Sequence, residues 1–356
     1  PEYEIDKRKI QPEYPTNFND AINELIGKPE VASKDWVIRQ YDHEVRGKTA
    51  LKPIQGPIGK DVPGDSSVLK PVDNSWKGLA LTSDVNPYLM EANPYHGTMS
   101  AVEEVCRNLA SVGARIDSLA DCLCFGNPRK PDIMGQFKAS CEALKDAAIA
   151  VDVPYVSGNV SLYNETIEGA IPPTPVLMGI GLVKDIRKCT TSDMKKEGSI
   201  WLVGETKEEM GASLYYRNLD LESANVPTTN FEKFMPRMEQ LIQAIENGEV
   251  VACHDISTGG LAITVIEMCM SGVGANIELT SNLRADIELF SESNGRWVVQ
   301  VATGCENKFA NRFDHAKQIG NVSDEILFTK NGEIISKLDI EKSRKIWTEP
   351  IWNRLA

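Results

Sequence analysis

The chain has 356 residues, of which 42% are hydrophobic and 25% charged, a composition typical of folded globular domains. Its 38 Lys and Arg against 51 Asp and Glu give a formal net charge of −13, which disfavours an extended nucleic-acid-binding surface because that needs clustered positive charge. No apolar run reaches 18 residues, so we expect no membrane-spanning helix.

Predicted elements divide the chain into four parts. Residues 1–35 are polar and proline-rich before a helix-like stretch, Phe18–Ile26, and are predicted to form an N-terminal arm or linker. A first domain is predicted over 36–185, a second over 186–345, and a C-terminal tail over 346–356. Pro1–Lys9 lack an apolar core, so no secretory signal is expected, and the start on Pro indicates a processed, split or truncated product.

In the first domain, short strands alternate with two long helices. Strands are predicted at Val68–Pro71, Gly78–Thr82, Pro154–Ser157 and Pro175–Val183, and helices at Gly97–Val112 and Ile133–Val151. In the second domain, strands are predicted at Ser199–Val203, Val250–Cys253 and Arg296–Ala302, and helices at Leu241–Asn247 and Leu261–Met270. The order of strands, glycines and helices predicts an α/β or α+β class.

The eight cysteines show no C-x-x-C spacing, and none stands at zinc-ligand spacing from a histidine. Most lie in apolar segments, where free cysteine behaves as a small hydrophobe. We therefore expect reduced thiols and a cytoplasmic protein.

The segment Val153–Glu165 carries the strongest chemical pattern. An apolar strand meets Gly158, which would let another group approach the backbone closely, and is followed by Asn159 and Ser161. Their oxygen atoms suit Mg²⁺, a hard cation that shares its ligands with water and phosphate. The alternative is a strand-end turn in which Asn159 and Ser161 make local hydrogen bonds.

Other polar residues fall in structured segments. Asp121 lies in an apolar, strand-like run, where a carboxylate needs a partner or a metal unless it faces solvent on an edge strand. Glu104 and Asn108 stand four apart on the first long helix and could share a cation, or could form an ordinary polar face. Asp65 lies at a strand boundary.

Two further motifs were considered. His43, within Gln40–Gly47, could do acid–base work, but a solvated charged edge is the simpler interpretation. His254–Leu261 joins a strand to a helix through two glycines and predicts either an anion site or a plain turn.

Taken in order, these motifs resemble the formylglycinamide ribonucleotide amidotransferases, also called phosphoribosylformylglycinamidine synthases or PurL, of the aminoimidazole ribonucleotide synthase-like superfamily. The similarity covers nearly the whole chain and matches the second, C-terminal half of that family. It is carried by these segments: Trp36–Gly47, Asn93–Gly97, Arg107–Leu109, Asp121–Pro128, Ser157–Glu165, Ile171–Thr174, His254–Leu261 and Phe290–Arg296.

The resemblance implies an α+β fold of two layers. The first domain would pair its sheet with a partner's sheet in a barrel with helices outside, and the second would pack helices on one side of a mixed sheet. The implied reaction converts formylglycinamide ribonucleotide to formylglycinamidine ribonucleotide with ATP, Mg²⁺ and ammonia through a phosphorylated amide.

The resemblance also implies residue roles. Asp121 and Gly158 would contact ATP, Asn159 would bind Mg²⁺, and Ser161 would touch the substrate. Asp65, Glu104, Asn108 and Asp255 stand where an auxiliary nucleotide–magnesium site would fall. The family's catalytic histidine belongs to its first half, so no catalytic residue is assigned here.

The partners implied are that first half, as a separate chain or a missing segment, a glutaminase subunit that supplies ammonia, and a small bridging subunit. The chain alone is then expected to be inactive. The alternatives are a stand-alone homodimeric ATP-dependent synthase or kinase of the same superfamily, and a non-catalytic nucleotide-binding half.

Overall fold

A computed structural model describes residues 10–15 and 17–355. Two helices come first, α1 (Asn19–Ile26) and α2 (Asp35–Ile38). The first domain then follows as β1 (Thr49–Leu51), β2 (Ile54–Gln55), β3 (Val62–Pro63), β4 (Ser67–Leu69), β5 (Gly78–Asp84), α3 (Pro87–Ala92), α4 (Pro94–Ser111), β6 (Arg115–Cys124), α5 (Pro131–Val151), β7 (Tyr155–Ser161), β8 (Glu165–Thr166), β9 (Gly169–Ala170) and β10 (Thr174–Val183).

The main sheet of the first domain has the order β1-β4-β5-β10-β6-β7. Only its β6–β7 pair, which α5 connects, is parallel. Helix α4 packs on one face of this sheet, close enough that a Cβ added to Gly179 would lie 2.3 Å from the Val105 side chain. On the opposite face, Met178 and Leu182 remain 40% and 49% exposed. One face of the sheet is therefore covered by helices and the other is open.

The second domain continues with β11 (Ser199–Val203), α6 (Leu214–Asn218), α7 (Phe231–Glu246), β12 (Val250–Asp255), α8 (Gly260–Cys269), β13 (Gly274–Leu279), α9 (Ala285–Phe290), β14 (Trp297–Val301), α10 (Glu306–Ala310), β15 (Ala316–Ser323), β16 (Ile326–Lys330), β17 (Glu333–Leu338) and α11 (Ile340–Leu355). Its sheet has the order β12-β14-β11-β15-β13-β16-β17, and only the β13–β16 pair is parallel. The sheet is therefore mixed.

Helices cover both faces of this sheet where β12, β14 and β11 lie, whereas the resemblance implied helices on one side. All five residues of β14 are buried. Trp297 stacks on Phe234 of α7, at 5.7 Å between ring centroids, while Val298 belongs to the cluster on the α8 side. A strand whose side chains are buried on both faces, as those of β14 are, needs packing on both sides of the sheet.

The predicted arm and tail both contain helix. Phe18, Ile22 and Leu25 of the 1–35 segment are buried in the second domain's hydrophobic cluster. The segment 346–356, predicted as a tail, forms the end of α11 up to residue 355, and the Trp347 indole donates to the Val31 carbonyl at 2.9 Å. These two ends of the chain therefore pack together beside the second sheet.

The two domains share a continuous interface built around α4. The Trp297 indole donates to the Arg107 carbonyl oxygen at 3.2 Å, and the Thr190 hydroxyl donates to the Ser111 carbonyl at 2.6 Å. One hydrophobic cluster includes buried residues from both domains. Within the described residues, all eight cysteines are free, and no helix is both long and apolar enough to cross a bilayer.

Candidate functional site

Asp121 and Gly158 lie side by side on the parallel strands β6 and β7. They are register partners, as are Cys122 with Asn159 and Cys124 with Ser161. A Cβ added to Gly158 would lie 3.0 Å from one carboxylate oxygen of Asp121, and the backbone amide of Asn159 donates to that carboxylate. Burial raises the pKa of Asp121, which this backbone hydrogen bond opposes. A side chain at position 158 would therefore crowd the Asp121 carboxylate.

The four residues predicted for ATP, Mg²⁺ and substrate are together, but they occupy two faces. Successive residues of a strand point to opposite sides of the sheet. Asp121 and Gly158 therefore share the helix-covered side, whereas Asn159 and Ser161 face the open side, where Asn159 Nδ2 donates to Cys122 Sγ at 3.4 Å. Because β7 is the edge strand, a ligand that contacts all four would cross that edge.

Asp84 lies in the same row of the sheet as Asp121. Leu177 of β10 pairs with Asp84 on one side and with Asp121 on the other, and Asp121 pairs with Gly158. Directly opposed residues share a face, so the two carboxylates flank Leu177 on the helix-covered side. Two strand spacings separate their backbones, about 10 Å. The register therefore links the β6–β7 edge to the interdomain cluster described next.

The interdomain cluster is centred on Arg107, whose side chain is 1% exposed. Its guanidinium donates to Glu103 at 2.5 Å and to Asp255 of the second domain at 3.0 Å, and it pairs with Glu104 at 3.2 Å. Burial raises the pKa of Glu103 to about 7, that of Glu104 well above its usual value, and that of Asp255 to a lesser degree, with Arg107 opposing each shift. One cation therefore faces three carboxyl groups.

Asp65 and His254 extend this cluster. His254 Nδ1 lies 2.5 Å from Asp65 Oδ1, its Nε2 lies 3.3 Å from Glu267, and the Asp255 amide donates to Asp65 at 3.2 Å. Burial would lower the pKa of His254, but Asp65 and Glu267 outweigh it and raise that pKa well above its usual value. Asp65, His254 and Asp255 are close enough together to ligate one ion. Because an ionised carboxylate can only accept a hydrogen bond, we assign the Nδ1–H of His254 as the donor to Asp65 and leave cation ligation to the oxygen atoms.

A cavity of about 430 Å³ opens beside this cluster, and Asp84, Glu104 and His254 line it. Asp65 and Asp255 lie behind this wall, in contact with His254 and Arg107. Burial raises the pKa of Asp84 to about 6. Asp84 Oδ2 and Asn108 Oδ1 are buried and have no hydrogen-bond partner among the described residues. The predicted set Asp65, Glu104, Asn108 and Asp255 is therefore gathered on two turns of α4 and the elements around it.

Two motifs remain, the glycine turn of His254–Leu261 and the charged segment around His43. The Gly259 amide, in the glycine turn of His254–Leu261, donates to Glu292 at 2.8 Å. A carboxylate of the chain thus already occupies that donor, which argues against the predicted anion site. Around His43, the neighbours Asp42 and Glu44 are exposed, as a solvated edge would be.

Two family models match the chain in order. AIR synthase related protein, N-terminal domain, matches residues 63–183, and AIR synthase related protein, C-terminal domain, matches residues 195–328. Together they span most of the chain. The chain belongs to the AIR synthase related family. The predicted α+β class with two domains of this type is confirmed. The predicted domain limits enclose both matches and stay predictions.

Relatives of this AIR synthase related chain include phosphoribosylformylglycinamidine synthase subunits PurL. It is 37% identical to that of Methanothrix thermoacetophila over 94% of its own length, and 41% identical to that of Thermococcus sibiricus over 94%. It covers only 45% and 46% of those relatives, so it spans about half their length.

Solved structures share the fold. The chain superposes on Thermotoga maritima PurL complexed with FGAR with a TM-score of 0.71 at 14% identity, covering 91% of this chain and 52% of that one. A chain of the solved HypE–HypF complex gives a TM-score of 0.57 at 18% identity, covering 78% of this chain and 93% of that one. At these identities the likeness concerns the fold alone.

The residues of the interdomain cluster of this AIR synthase related chain that sequence reasoning missed are Asp84, Glu103, Arg107 and Glu267. Asp84 could have been suspected from the sequence, because it lies just past the predicted strand Gly78–Thr82 and just before the Asn86-Pro87 start of a helix. No sequence pattern could reveal the role of Arg107, because its partner Asp255 is 148 positions away in the chain.

Proposed function

We propose that the chain is the second half of a formylglycinamidine ribonucleotide synthase, an ATP-dependent carbon–nitrogen ligase of purine biosynthesis. The observation that carries the proposal is the alignment of 94% of the chain with PurL subunits of which it covers 45% and 46%. In this proposal, the other half of the enzyme is a separate chain or a segment joined to this one, and it supplies the catalytic histidine.

The proposed reaction has two stages. ATP phosphorylates the amide oxygen of formylglycinamide ribonucleotide, which turns a poor leaving group into a good one, and ammonia then displaces phosphate. A glutaminase subunit would supply the ammonia, with a small bridging subunit between them. The fold neighbours from Thermotoga maritima include PurL complexed with FGAR, PurL complexed with ATP, and PurLQS, which is consistent with this assignment.

The row Asp84, Leu177, Asp121, Gly158 supports a nucleotide site at the edge of the first sheet. Gly158 leaves room beside the Asp121 carboxylate, which would orient ATP by accepting a hydrogen bond. Asn159 turns its amide nitrogen to Cys122, so its carbonyl oxygen is left for Mg²⁺, and Ser161 lies on the same face for the substrate. Mg²⁺ bound there would neutralise phosphate charge.

The interdomain cluster fits the auxiliary nucleotide–magnesium site that the resemblance implies. Six carboxyl groups surround one arginine and one histidine there, those of Asp65, Asp84, Glu103, Glu104, Asp255 and Glu267. Asp84 Oδ2 and Asn108 Oδ1 are buried without partners among the described residues. Carboxylate and amide oxygens are the ligands that Mg²⁺ prefers. We assign Asp65, Glu104, Asn108 and Asp255 to this site and add Asp84.

The open face of the first sheet supports the need for a partner. Strand alternation places Leu81, Met178, Ile180 and Leu182 on this face, away from α4. Apolar groups on one sheet face are stabilised when a second sheet packs on them. We assign this face to the sheet of the first half.

The test uses the pair assembled from this chain and the half of Thermococcus sibiricus PurL that it does not match. Asp121→Ala should raise the KM for ATP by at least about tenfold, since a charge-assisted hydrogen bond contributes about 1.5–3 kcal/mol. Asn159→Ala should raise the Mg²⁺ concentration needed for half-maximal rate. Asp132→Ala, which removes an exposed carboxylate at the start of α5, is the matched control. Unchanged ATP and Mg²⁺ dependence in both site variants would contradict the assignment.

A homodimeric synthase or kinase is the second candidate. The fold neighbour from the HypE–HypF complex, 93% of which this chain covers, is a chain of about one two-domain unit. Two copies of the present chain would then bring their open sheet faces together. ATP turnover by the purified homodimer without a first half would favour this candidate.

A further inference from the structure

A small basic cavity lies apart from the row of carboxylates, between the start of α7 and the loop before β14. Its volume is about 100 Å³, and its lining includes Lys207, Lys233, Arg237, Thr229 and Asn294. In a chain with 13 more acidic than basic residues, three cations around one cavity are unusual. The two carboxylates that also line it, Glu103 and Glu205, are paired with Arg107 and His315.

Arg237 is the central group of this cavity. Its only hydrogen bond among the described residues runs from Nη1 to the Gly295 carbonyl at 3.0 Å, and it makes no ion pair there. Burial lowers its pKa, which nearby carboxylates oppose. Arg237 is partly buried, and a guanidinium that has lost part of its contact with water is stabilised by an anionic partner. The other N–H groups of Arg237 are available to donate to an anionic ligand.

Lys233 stands one helical turn before Arg237 on α7. Side chains at i and i+4 point the same way, so the two positive charges repel and weaken the helix. An anion between them would turn this repulsion into attraction. Helix α7 also begins here, and its first-turn N–H groups favour negative charge.

Neutral donors complete the cavity. Asn294 Nδ2 donates to Thr229 Oγ1 and to Ser100 Oγ, at 2.8 Å each. Because the Thr229 hydroxyl oxygen accepts from Asn294, its own hydrogen is left to point elsewhere. Two of the three cations come from one face of α7, and the third is Lys207 of the loop after β11, which also pairs with Glu209 at 3.6 Å. Three cations with a hydroxyl suit a doubly charged oxyanion, whereas a planar carboxylate needs one arginine fork.

We propose that this cavity binds the phosphate group of a small phosphorylated metabolite or free phosphate. The volume admits one phosphate group and excludes a whole nucleotide, for which pockets of roughly 300–1,000 Å³ are usual. The site is distinct from the row of Asp84 and Asp121, and it does not depend on the ATP assignment.

The test measures binding to the full 356-residue chain by calorimetry and by thermal unfolding, with inorganic phosphate and with ribose 5-phosphate at constant ionic strength. Both should bind and raise the Tm, since a ligand that binds only the folded state stabilises it. Arg237→Gln should weaken binding by at least about tenfold, and Lys233→Gln by less, because Lys233 is more exposed.

Lys138→Gln is the matched control, since it removes one positive charge from an exposed position on α5. Lys233 is also exposed, so Lys233→Gln tests the site even if Arg237→Gln does not fold. If ribose 5-phosphate binds more tightly, the ligand of the cavity is a phosphorylated metabolite. If inorganic phosphate binds more tightly, the ligand is free phosphate. The absence of phosphate binding, or equal affinity in Lys233→Gln and Lys138→Gln, would overturn the proposal.

Discussion

Replacing Arg107 by leucine should destabilise the interface between the two domains more than any single surface change. Arg107 is 1% exposed and is the cation between Glu103 and Glu104 of the first domain and Asp255 of the second. In the Arg107→Leu variant, these carboxyl groups would stay buried but would have lost the positive charge that they face in the wild type. Breaking a buried ion pair by removing one partner costs about 3–5 kcal/mol.

The loss of unfolding free energy in the Arg107→Leu variant should depend on pH. Burial already raises the pKa of Glu103 to about 7, and removing Arg107 would raise it further. The folded variant would then hold protons that the unfolded chain releases, so its stability should fall as the pH rises from 5 to 8. The difference in unfolding free energy between the wild type and Arg107→Leu should therefore be largest at pH 8 and should become smaller towards pH 5.

The assay is urea unfolding of wild type and variants at pH 5 and pH 8. Arg115→Leu is the matched comparison, because Arg115 also pairs with two carboxylates across the domains, Glu239 and Glu246, but is 27% exposed. Its loss should cost about 1 kcal/mol or less. Equal losses for the two variants, or a loss for Arg107→Leu that does not shrink at pH 5, would refute the reasoning.

Three further predictions follow from single contacts. Gly158→Ala should reduce the affinity of the assembled enzyme for ATP, measured by ATP titration, because the new methyl group would lie 3.0 Å from an Asp121 oxygen. The Tm should stay within about 2 °C of the wild type, because β7 is exposed. Phe18→Ala should cost about 3–5 kcal/mol in urea unfolding if the N-terminal segment is part of the second core, and nothing if it is a free arm. Burial raises the pKa of Glu292 from 4.5 to about 7, so its contribution to stability is present below pH 4.5 and lost as the pH rises through 7. Glu292→Gln should remove up to about 3 kcal/mol of that pH dependence, measured as unfolding free energy from pH 4 to pH 8.

Regular periodicity made most of the first domain predictable. The helices at 97–112 and 133–151 are confirmed as α4 and α5, because their apolar residues recur at three- and four-residue spacing over many turns. Helix α7 was predicted only from Leu241 onwards, although it starts at Phe231. Pro236 interrupts the pattern, and tertiary packing of Phe234 and Met238 stabilises the turns around it.

The site was predictable where its residues are close in sequence. The glycine beside Asp121 could be suspected from the strand pattern, and the register places the two together. That Asn159 and Gly158 face opposite sides of the sheet follows from strand alternation alone, whereas the pairing of Gly158 with Asp121 depends on a register between strands that no local pattern defines. The cluster around Arg107 depends on contacts between distant segments, such as Asp65 with His254, 189 positions apart. No local pattern encodes such a contact.

The central claim is that this chain is one half of a ligase, and activity on reassembly tests it most directly. The measurement is formylglycinamidine ribonucleotide formed from formylglycinamide ribonucleotide, ATP, Mg²⁺ and ammonium, for the chain alone, for the complementary half of Thermococcus sibiricus PurL alone, and for the two mixed. We expect product only in the mixture, with one ADP released per product. Product from this chain alone, or a mixture that stays inactive although the two halves associate, would contradict the account.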